Sequence, residues 1–467
     1  MKYRPNFWFL TALVLVVLLA PNLIKPNIIL GEESYYHARI SKQIAEEGIP
    51  TTDKFMDRPY IFDLYNLILA GFIYIFGVVF ASKILPVLLG IITFLLAFFI
   101  LKEIKVNKRR PLIMLMVSLS PVFIYNFSIS NKYSLSVTLI LAGIFLLLKK
   151  SKTCNILSAI SFALVGFTNM LGILISIFVL FWYYKRKFVK GYILITLIAA
   201  SCINYLPVLY KQGISEIPSF ISTNILPNFI SDLGANIGFG IFTVILAVIG
   251  LITSWKFKRR YYPIYGLLIF ILLLSVYFGD KVNFYLNFIL CYFGGYGFWV
   301  LADKKWQVKL IKDLTLIILI CGVIFSAVSF MARESKFEPN EDIIKSLNWL
   351  KKNSKEDDVI LSHYSNGLWI EAVAERRVVM DSMFQYTNAE ERYNDSENMF
   401  KSVYVDDSLN LLKKYNVKYI WIDKKMREGE VWSKEKEGML ILFRNNETFK
   451  NVYKYNGIEI WELVRTQ

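Results

Sequence analysis

Apolar runs of spanning length recur along the first two thirds of the chain. They begin near Phe7, Leu64, Ile84, Pro111, Ser134, Asn155, Leu171, Tyr192, Ile237, Tyr262, Phe284 and Leu310. A helix needs about 20 apolar residues to cross a bilayer core of about 30 Å, so these runs predict membrane spans. Beyond residue 330 the pattern changes. Asn340 caps an amphipathic segment with Ile343, Ile344, Leu347 and Leu350 on one face, which predicts a helix to about Lys352. Short β-branched runs at Val359–Leu361, Val378–Met380 and Val417–Ile422 predict strands. Asp407–Tyr415 predicts a helix before the last of these, and Val452–Tyr455 and Ile458–Leu463 a hairpin around Asn456-Gly457.

Charge decides which runs cross. Basic clusters lie at Lys102 to Arg110, Lys149 to Lys152, Lys185 to Lys190, Lys256 to Arg260 and Lys304 to Lys309. With an inside N-terminus and twelve spans, every cluster falls outside. If Leu64–Phe80 instead lies in the interface, every cluster falls inside, as the positive-inside rule requires. The expected fold is therefore a polytopic α-helical membrane protein of about eleven transmembrane helices with a C-terminal α/β soluble domain. The boundaries are residues 1–330 for the membrane domain and 331–467 for the α/β domain. A first outer loop over 31–82 carries the interfacial helix 64–80. The expected location is the cell membrane, multi-pass, with the N-terminus cytoplasmic and the C-terminal domain extracytoplasmic. The run from Phe7 has no small-residue cleavage site and reads as a retained first helix.

Composition agrees with that division. The 467 residues are 55% hydrophobic and 19% charged, against about 25% charged in soluble domains. Residues 1–330 hold 31 Lys+Arg and 13 Asp+Glu, and residues 331–467 hold 22 and 24. The basic excess sits in short loops between apolar runs, which excludes nucleic acid as its partner. The four cysteines lie in or beside apolar segments without zinc spacing, so neither a disulfide framework nor a zinc site is expected.

Candidate chemistry gathers in the outer loops. The first opens with Gly31-Glu32-Glu33-Ser34-Tyr35-Tyr36-His37-Ala38-Arg39, followed by Asp57-Arg58-Pro59-Tyr60. Acidic residues also favour helix N-termini on their own account. Other outer stretches hold Asn131-Lys132-Tyr133, Gly213-Ile214-Ser215-Glu216-Ile217 and Lys281-Val282-Asn283-Phe284-Tyr285. The α/β domain carries His363-Tyr364-Ser365-Asn366-Gly367-Leu368-Trp369-Ile370 and, downstream, Ala374-Glu375-Arg376-Arg377 reaching Asp381.

These segments together resemble the catalytic subunit of oligosaccharyltransferase and its archaeal single-subunit relatives, which are GT-C membrane glycosyltransferases. The opening loop is also similar to that of lipid-monophosphate-dependent mannosyl- and aminoarabinosyltransferases. The resemblance implies Glu33, with Glu32 and Glu216, as catalytic carboxylates. It implies Lys281 as a donor-phosphate cation, joined by Lys132, Arg58 and Arg39, and it places His37, Tyr36, Gly367 and Trp369 toward substrate. The partners implied are a lipid-linked sugar donor, membrane lipids and a protein or glycan acceptor.

Two departures change the expectation. The family's Trp-Trp-Asp-Tyr-Gly signature keeps only Gly367, with Trp369 and Ile370 beyond it, and Ser365 stands at the carboxylate. The acidic pair that helps the family bind Mg²⁺ or Mn²⁺ is replaced by Ile129-Ser130-Asn131-Lys132. A divalent ion held through Glu33 would lack its usual carboxylates. The reading adopted is a metal-independent site in which the Lys132 ammonium neutralises the leaving phosphate. The expected function is transfer of a sugar or oligosaccharide from a polyprenyl- or dolichyl-phosphate carrier on the outer face. The alternatives are a lipid-monophosphate-sugar transferase with a glycan or lipid acceptor, and a non-catalytic scaffold. A transporter is disfavoured because mid-span charges are scarce.

Overall fold

The computed structural model describes residues 6–56, 58–183, 189–212, 229–384, 388–434 and 436–464. Two compact units form. One is Met1–Leu30, Phe62–Pro207 and Thr223–Phe337, and the other is Gly31–Ile61, Val208–Ser222 and Glu338–Gln467, each over its described residues.

The first unit is helical. Five stretches among the described residues are long and apolar enough to cross a membrane: Phe7–Ile24, Val78–Glu103, Gly191–Tyr210, Tyr261–Asp303 and Lys309–Glu334. Arg110–Ser118 and Pro121–Ser128 make a further span if counted as one, bent by 58°. Shorter apolar helices are Leu64–Phe76, Lys132–Leu148, Lys152–Val165, Met170–Trp182 and Ile241–Phe257. The helix expected over 64–80 closes at Phe76, because Gly77 takes φ 78° and a new helix, Val78–Glu103, begins beyond it.

Close packing in this unit depends on glycine. Lipid gives no hydrophobic drive between helices, so backbone approach carries their association. A Cβ on Gly250 would lie 2.0 Å from the Phe293 carbonyl, and one on Gly297 would lie 2.1 Å from that of Leu246. Ile241–Ser254 and Asn283–Asp303 therefore meet backbone to backbone.

The second unit is built on a five-stranded mixed sheet. Its strands are β1 (Val359–Leu361), β2 (Arg377–Val378), β3 (Val417–Ile422), β4 (Phe449–Tyr455) and β5 (Ile458–Leu463), in the order β2-β1-β3-β5-β4. β1 pairs in parallel with β2 and β3; β5 runs antiparallel to β3 and β4. The β4–β5 turn puts Asn456 and Gly457 at positive φ, which this residue pair tolerates. Asn340 caps Glu341–Asn353, its side chain accepting from the Ile343 amide at 2.9 Å. Trp421 and Trp432 are fully buried in this unit. Helix Glu32–Glu47 belongs to it as well.

Candidate active site

In the second unit, Gly31 at φ 79° turns the chain into helix Glu32–Glu47. Glu32 and Glu33 occupy its first turn, where the helix dipole favours negative charge. Both are half-buried, and Glu32 accepts a hydrogen bond from the Ser382 hydroxyl. Tyr36 and His37 are buried on the same helix, with ring centroids 5.4 Å apart. The turn Gly367–Trp369 packs on this helix. Gly367 is there by necessity: a Cβ would lie 2.6 Å from the Met380 carbonyl and 2.8 Å from the Asp381 Cα. Trp369 is buried, and its Nε1 finds no acceptor among the described residues.

Arg39 and Arg58 have protein partners. Arg39 grips Asp53 with two bonds of 2.7 and 2.8 Å and reaches Glu371 at 2.8 Å. Arg58 donates to Asp53 at 3.0 Å and lies 2.8 Å from Asp381. Tyr36 lies beneath both guanidinium groups, at 5.7 and 5.3 Å. Burial opposes the charge on Asp53, but Arg39 and Arg58 hold it well below the usual carboxylate range. Two arginines meet three carboxylates here. Burial pushes Glu371 well above its ordinary range, although Arg39 opposes the shift. The expected phosphate-binding role of Arg39 and Arg58 thus meets guanidinium groups already neutralised and enclosed. Their contacts fix the first-loop segment to Glu371, before β2, and to Asp381, after it.

The segment 363–367 forms a second polar cluster. His363 Nδ1 lies 2.8 Å from Ser365 Oγ, which donates to Glu430 at 3.1 Å. The Tyr364 ring sits 4.1 Å from His363 and 5.3 Å from Phe384. Burial would raise Glu430, but His363 and Ser365 hold it low. Glu430 therefore brings a carboxylate from 65 residues away to Ser365. Its only signal in the sequence was an acidic residue beside Gly429, too common to single out.

In the first unit, the turn Gly279–Val282 brings Lys281 Nζ to 5.8 Å from the Tyr133 ring. Tyr133 also meets Phe284 at 5.1 Å, so the segments carrying Lys132 and Lys281 lie side by side. Asn131 caps the helix that Lys132 opens, accepting from the Ser134 amide at 3.0 Å. Ser130 is fixed by Tyr65 at 2.9 Å and by donating to the Ser82 carbonyl at 2.7 Å. Asp63 was missed as a neighbour. It caps helix Leu64–Phe76 through the Tyr65 amide, and burial pushes it up to about 6 although Lys132 opposes the shift. An Asp just before an apolar run is a legible cap signal. Its nearness to Lys132 is not legible.

Glu216 and its motif Gly213–Ile217, like Asp57, lie outside the described residues. Among the described residues no three His, Cys, Asp or Glu side chains gather as a metal site.

No family model and no curated protein matches the chain. Solved structures do. The oligosaccharyltransferase of Archaeoglobus fulgidus in its apo form superposes with a TM-score of 0.66 at 12% identity, over 90% of this chain and 70% of that one. ArnT from Cupriavidus metallidurans, bound to undecaprenyl phosphate, gives 0.60 at 11% identity over 97% of both chains. The mycobacterial arabinofuranosyltransferase AftD gives 0.56 at 11% identity, over 99% of this chain and 42% of its own. All three are GT-C glycosyltransferases. The chain has the GT-C fold. At these identities the likeness establishes the fold and no residue's role. Within that GT-C fold, the acidic helix start lies in the second unit and the lysine pair in the first.

Proposed function

We propose that the chain is a membrane glycosyltransferase that moves a sugar from a polyprenyl- or dolichyl-phosphate carrier to an acceptor on the outer face. The observation that carries this reading is the GT-C fold over nearly the whole chain. It is shared with ArnT bound to undecaprenyl phosphate and with the A. fulgidus AglB in complex with a dolichol-phosphate. Eleven spans result if the bent pair counts once, Tyr261–Asp303 twice, and every shorter apolar helix except Leu64–Phe76 crosses. With the N-terminus inside, as proposed, this count would keep the basic clusters on the inner side, as the positive-inside rule favours, and residues 331–467 on the outer side.

The chemistry follows from a donor that cannot leave the bilayer. An acceptor hydroxyl or amide attacks the anomeric carbon, and the C1–O bond to phosphate breaks. The bonding pair leaves on the phosphate oxygen. Glu33, helped by Glu32 and Glu216, orients the acceptor and takes its proton. Lys281 and Lys132 stabilise the departing phosphate charge. His37, Tyr36, Gly367 and Trp369 shape the acceptor side. Arg39 and Arg58 hold the loop that carries the carboxylates.

A second reading is a lipid-monophosphate-sugar transferase with a glycan or lipid acceptor. It is favoured by the coverage of ArnT, 97% of both chains, against 70% of the apo oligosaccharyltransferase. Both readings share one test. Purified protein in liposomes is given pooled mono- and diphosphate-linked labelled donors, with a sequon peptide and cell glycans as acceptors. Wild type transfers label, and Glu33→Gln loses at least about 10²-fold, the usual worth of a positioned proton acceptor. The labelled acceptor separates the readings. Donor binding without transfer by either protein replaces both with the non-catalytic scaffold. Loss of transfer on EDTA treatment removes Lys132 as the stand-in for a metal.

A further inference from the structure

The first unit holds a cationic pocket built from the basic clusters around Arg109 and Lys256. It has a volume of about 490 Å³ and is lined by Arg109, Lys256, Lys258, Arg259, Tyr261 and Tyr296, without a carboxylate. No described acidic side chain forms an ion pair with these four cations. Arg109 is set in place: its guanidinium carbon lies 4.2 Å from the ring centroids of both Tyr296 and Trp299. Those rings stack at 14°. Lys258 rests 5.6 Å from the Trp255 ring. Cation–π contacts hold charged heads in position without neutralising them.

A second feature adjoins it. An apolar groove of about 490 Å³ runs between helices Ile241–Ser254 and Lys258–Phe278, lined by Leu251, Ile252, Trp255, Tyr265, Leu268 and Ile269. Tyr261, Tyr265, Leu268 and Ile269 fall at helical spacing on one face. Tyr261 lines the cationic pocket and Tyr265 the groove, with ring centroids 6.2 Å apart. One helix face thus joins four cations to a hydrocarbon trough. Ile252 and Ile269 in the trough are 68% and 59% exposed, and this surface faces lipid in a membrane-spanning unit.

We infer that this surface is a binding site for an anionic phospholipid, with its phosphate headgroup among Arg109, Lys256, Lys258 and Arg259 and an acyl chain along the groove. A free phosphate ion would use the cations and have no use for the groove. A neutral lipid would use the groove and leave the cations unpaired. Basic pockets between transmembrane helices are the known shape of anionic-headgroup sites. Lys258–Phe278 has 21 residues, about 30 Å at 1.5 Å each. The pocket lies at its start and Lys281 beyond its end, so this lipid occupies the opposite leaflet from the sugar donor.

The test uses the full chain in nanodiscs. Wild-type melting is measured in phosphatidylcholine, in phosphatidylcholine with phosphatidylglycerol, and in phosphatidylcholine with inorganic phosphate. The expected result is a rise of about 3 °C with phosphatidylglycerol and none with inorganic phosphate. Lys256→Gln/Lys258→Gln/Arg259→Gln abolishes the rise while melting as wild type in phosphatidylcholine alone. Lys304→Gln/Lys305→Gln/Lys309→Gln, which removes equal charge elsewhere, keeps the rise. If the triple pocket variant is unstable, Arg109→Gln and the groove-filling Ile252→Trp each halve the rise or more. Equal loss in both triple variants overturns the site as mere surface charge. Equal stabilisation by inorganic phosphate overturns the lipid.

Discussion

Buried polarity is organised oppositely in the two units. In the second, charge is buried against charge: Arg39 and Arg58 sit among Asp53, Glu371 and Asp381, all nearly inaccessible. In the first, the buried side-chain bonds join mostly hydroxyls and amides, and Asp63 and Glu334 are its buried carboxylates among the described residues. Tyr65 meets Ser130, Ser120 donates to Asn287 at 2.6 Å, Thr93 meets Thr138 at 2.7 Å, and Tyr285 meets Ser136 and Asn169. An ion in hydrocarbon is costly whatever it pairs with, so hydroxyls and amides are what a membrane interior accepts. Outside apolar helices, ions can be buried when donors and acceptors match closely. The difference teaches where single substitutions should be severe and where mild.

The largest expected effect is in the ionic lattice. Asp53→Ala removes the carboxylate that both arginines share, leaving two buried cations short of a partner. The expected cost is about 3–5 kcal/mol, read by pulse proteolysis in urea with cleavage mapped to residues 338–464. Glu371→Gln sharpens the comparison. Burial raises Glu371 well above its ordinary range, so the amide should stand in for a protonated acid at a cost below about 1 kcal/mol. If Glu371→Gln costs as much as Asp53→Ala, Glu371 is ionised in the folded state.

The next effect tests a second-unit carboxylate without an arginine. Asp423 is buried after β3 and accepts from the Met426 amide at 2.9 Å. Burial, with Glu430 nearby, raises it from 3.8 to about 6. A raised carboxyl contributes stability that is full below its unfolded value and lost as pH rises through the folded one. Wild type should therefore lose up to about 3 kcal/mol between pH 4 and pH 7 through this group. Asp423→Asn keeps the acceptor and removes that slope. It should match wild type at pH 4 and exceed it at pH 7. Parallel stability curves for the two proteins would show that unpaired carboxylates are tolerated in this unit.

Much of this architecture was legible in the residues. The Asn340 cap, the β-branched runs of β1 and β3 and the Asn456-Gly457 turn each carry a local signal, and each is where the pattern put it. Glu32 and Glu33 announced a helix start in the same way. The partners carried no such signal. Arg39 read as an available cation because Glu371 lies 332 residues away, and Lys281 meets Tyr133 only through folding. Nor does an acidic residue in a loop show that it will reach Ser365, as Glu430 does. The apolar run over 64–80 holds a helix only to Phe76, because hydropathy does not register the positive φ that Gly77 permits. Periodicity and caps act within one turn of chain, whereas ion pairs join distant positions, so charge type was readable and charge neutralisation was not.

The smallest expected effect is among the hydroxyls and amides buried in the first unit. The Tyr285 hydroxyl lies 2.9 Å from Ser136 Oγ and 3.1 Å from Asn169 Oδ1. Asn169 also accepts from the Gly172 amide at 2.7 Å, so it keeps a partner when the hydroxyl is gone. Ser136 retains its rotating hydroxyl and can turn toward the backbone of its own helix. Interhelical hydrogen bonds in membranes average only about 0.6 kcal/mol, because the separated helices also find partners. Tyr285→Phe should therefore cost about 0.6 kcal/mol in nanodisc unfolding, several-fold less than Asp53→Ala. A loss above about 3 kcal/mol would mean that the first unit concentrates its polar energy at single points as the second does. The contrast between a lattice of ions and a ladder of hydroxyls would then lie in chemistry alone and not in how each unit spreads its stability.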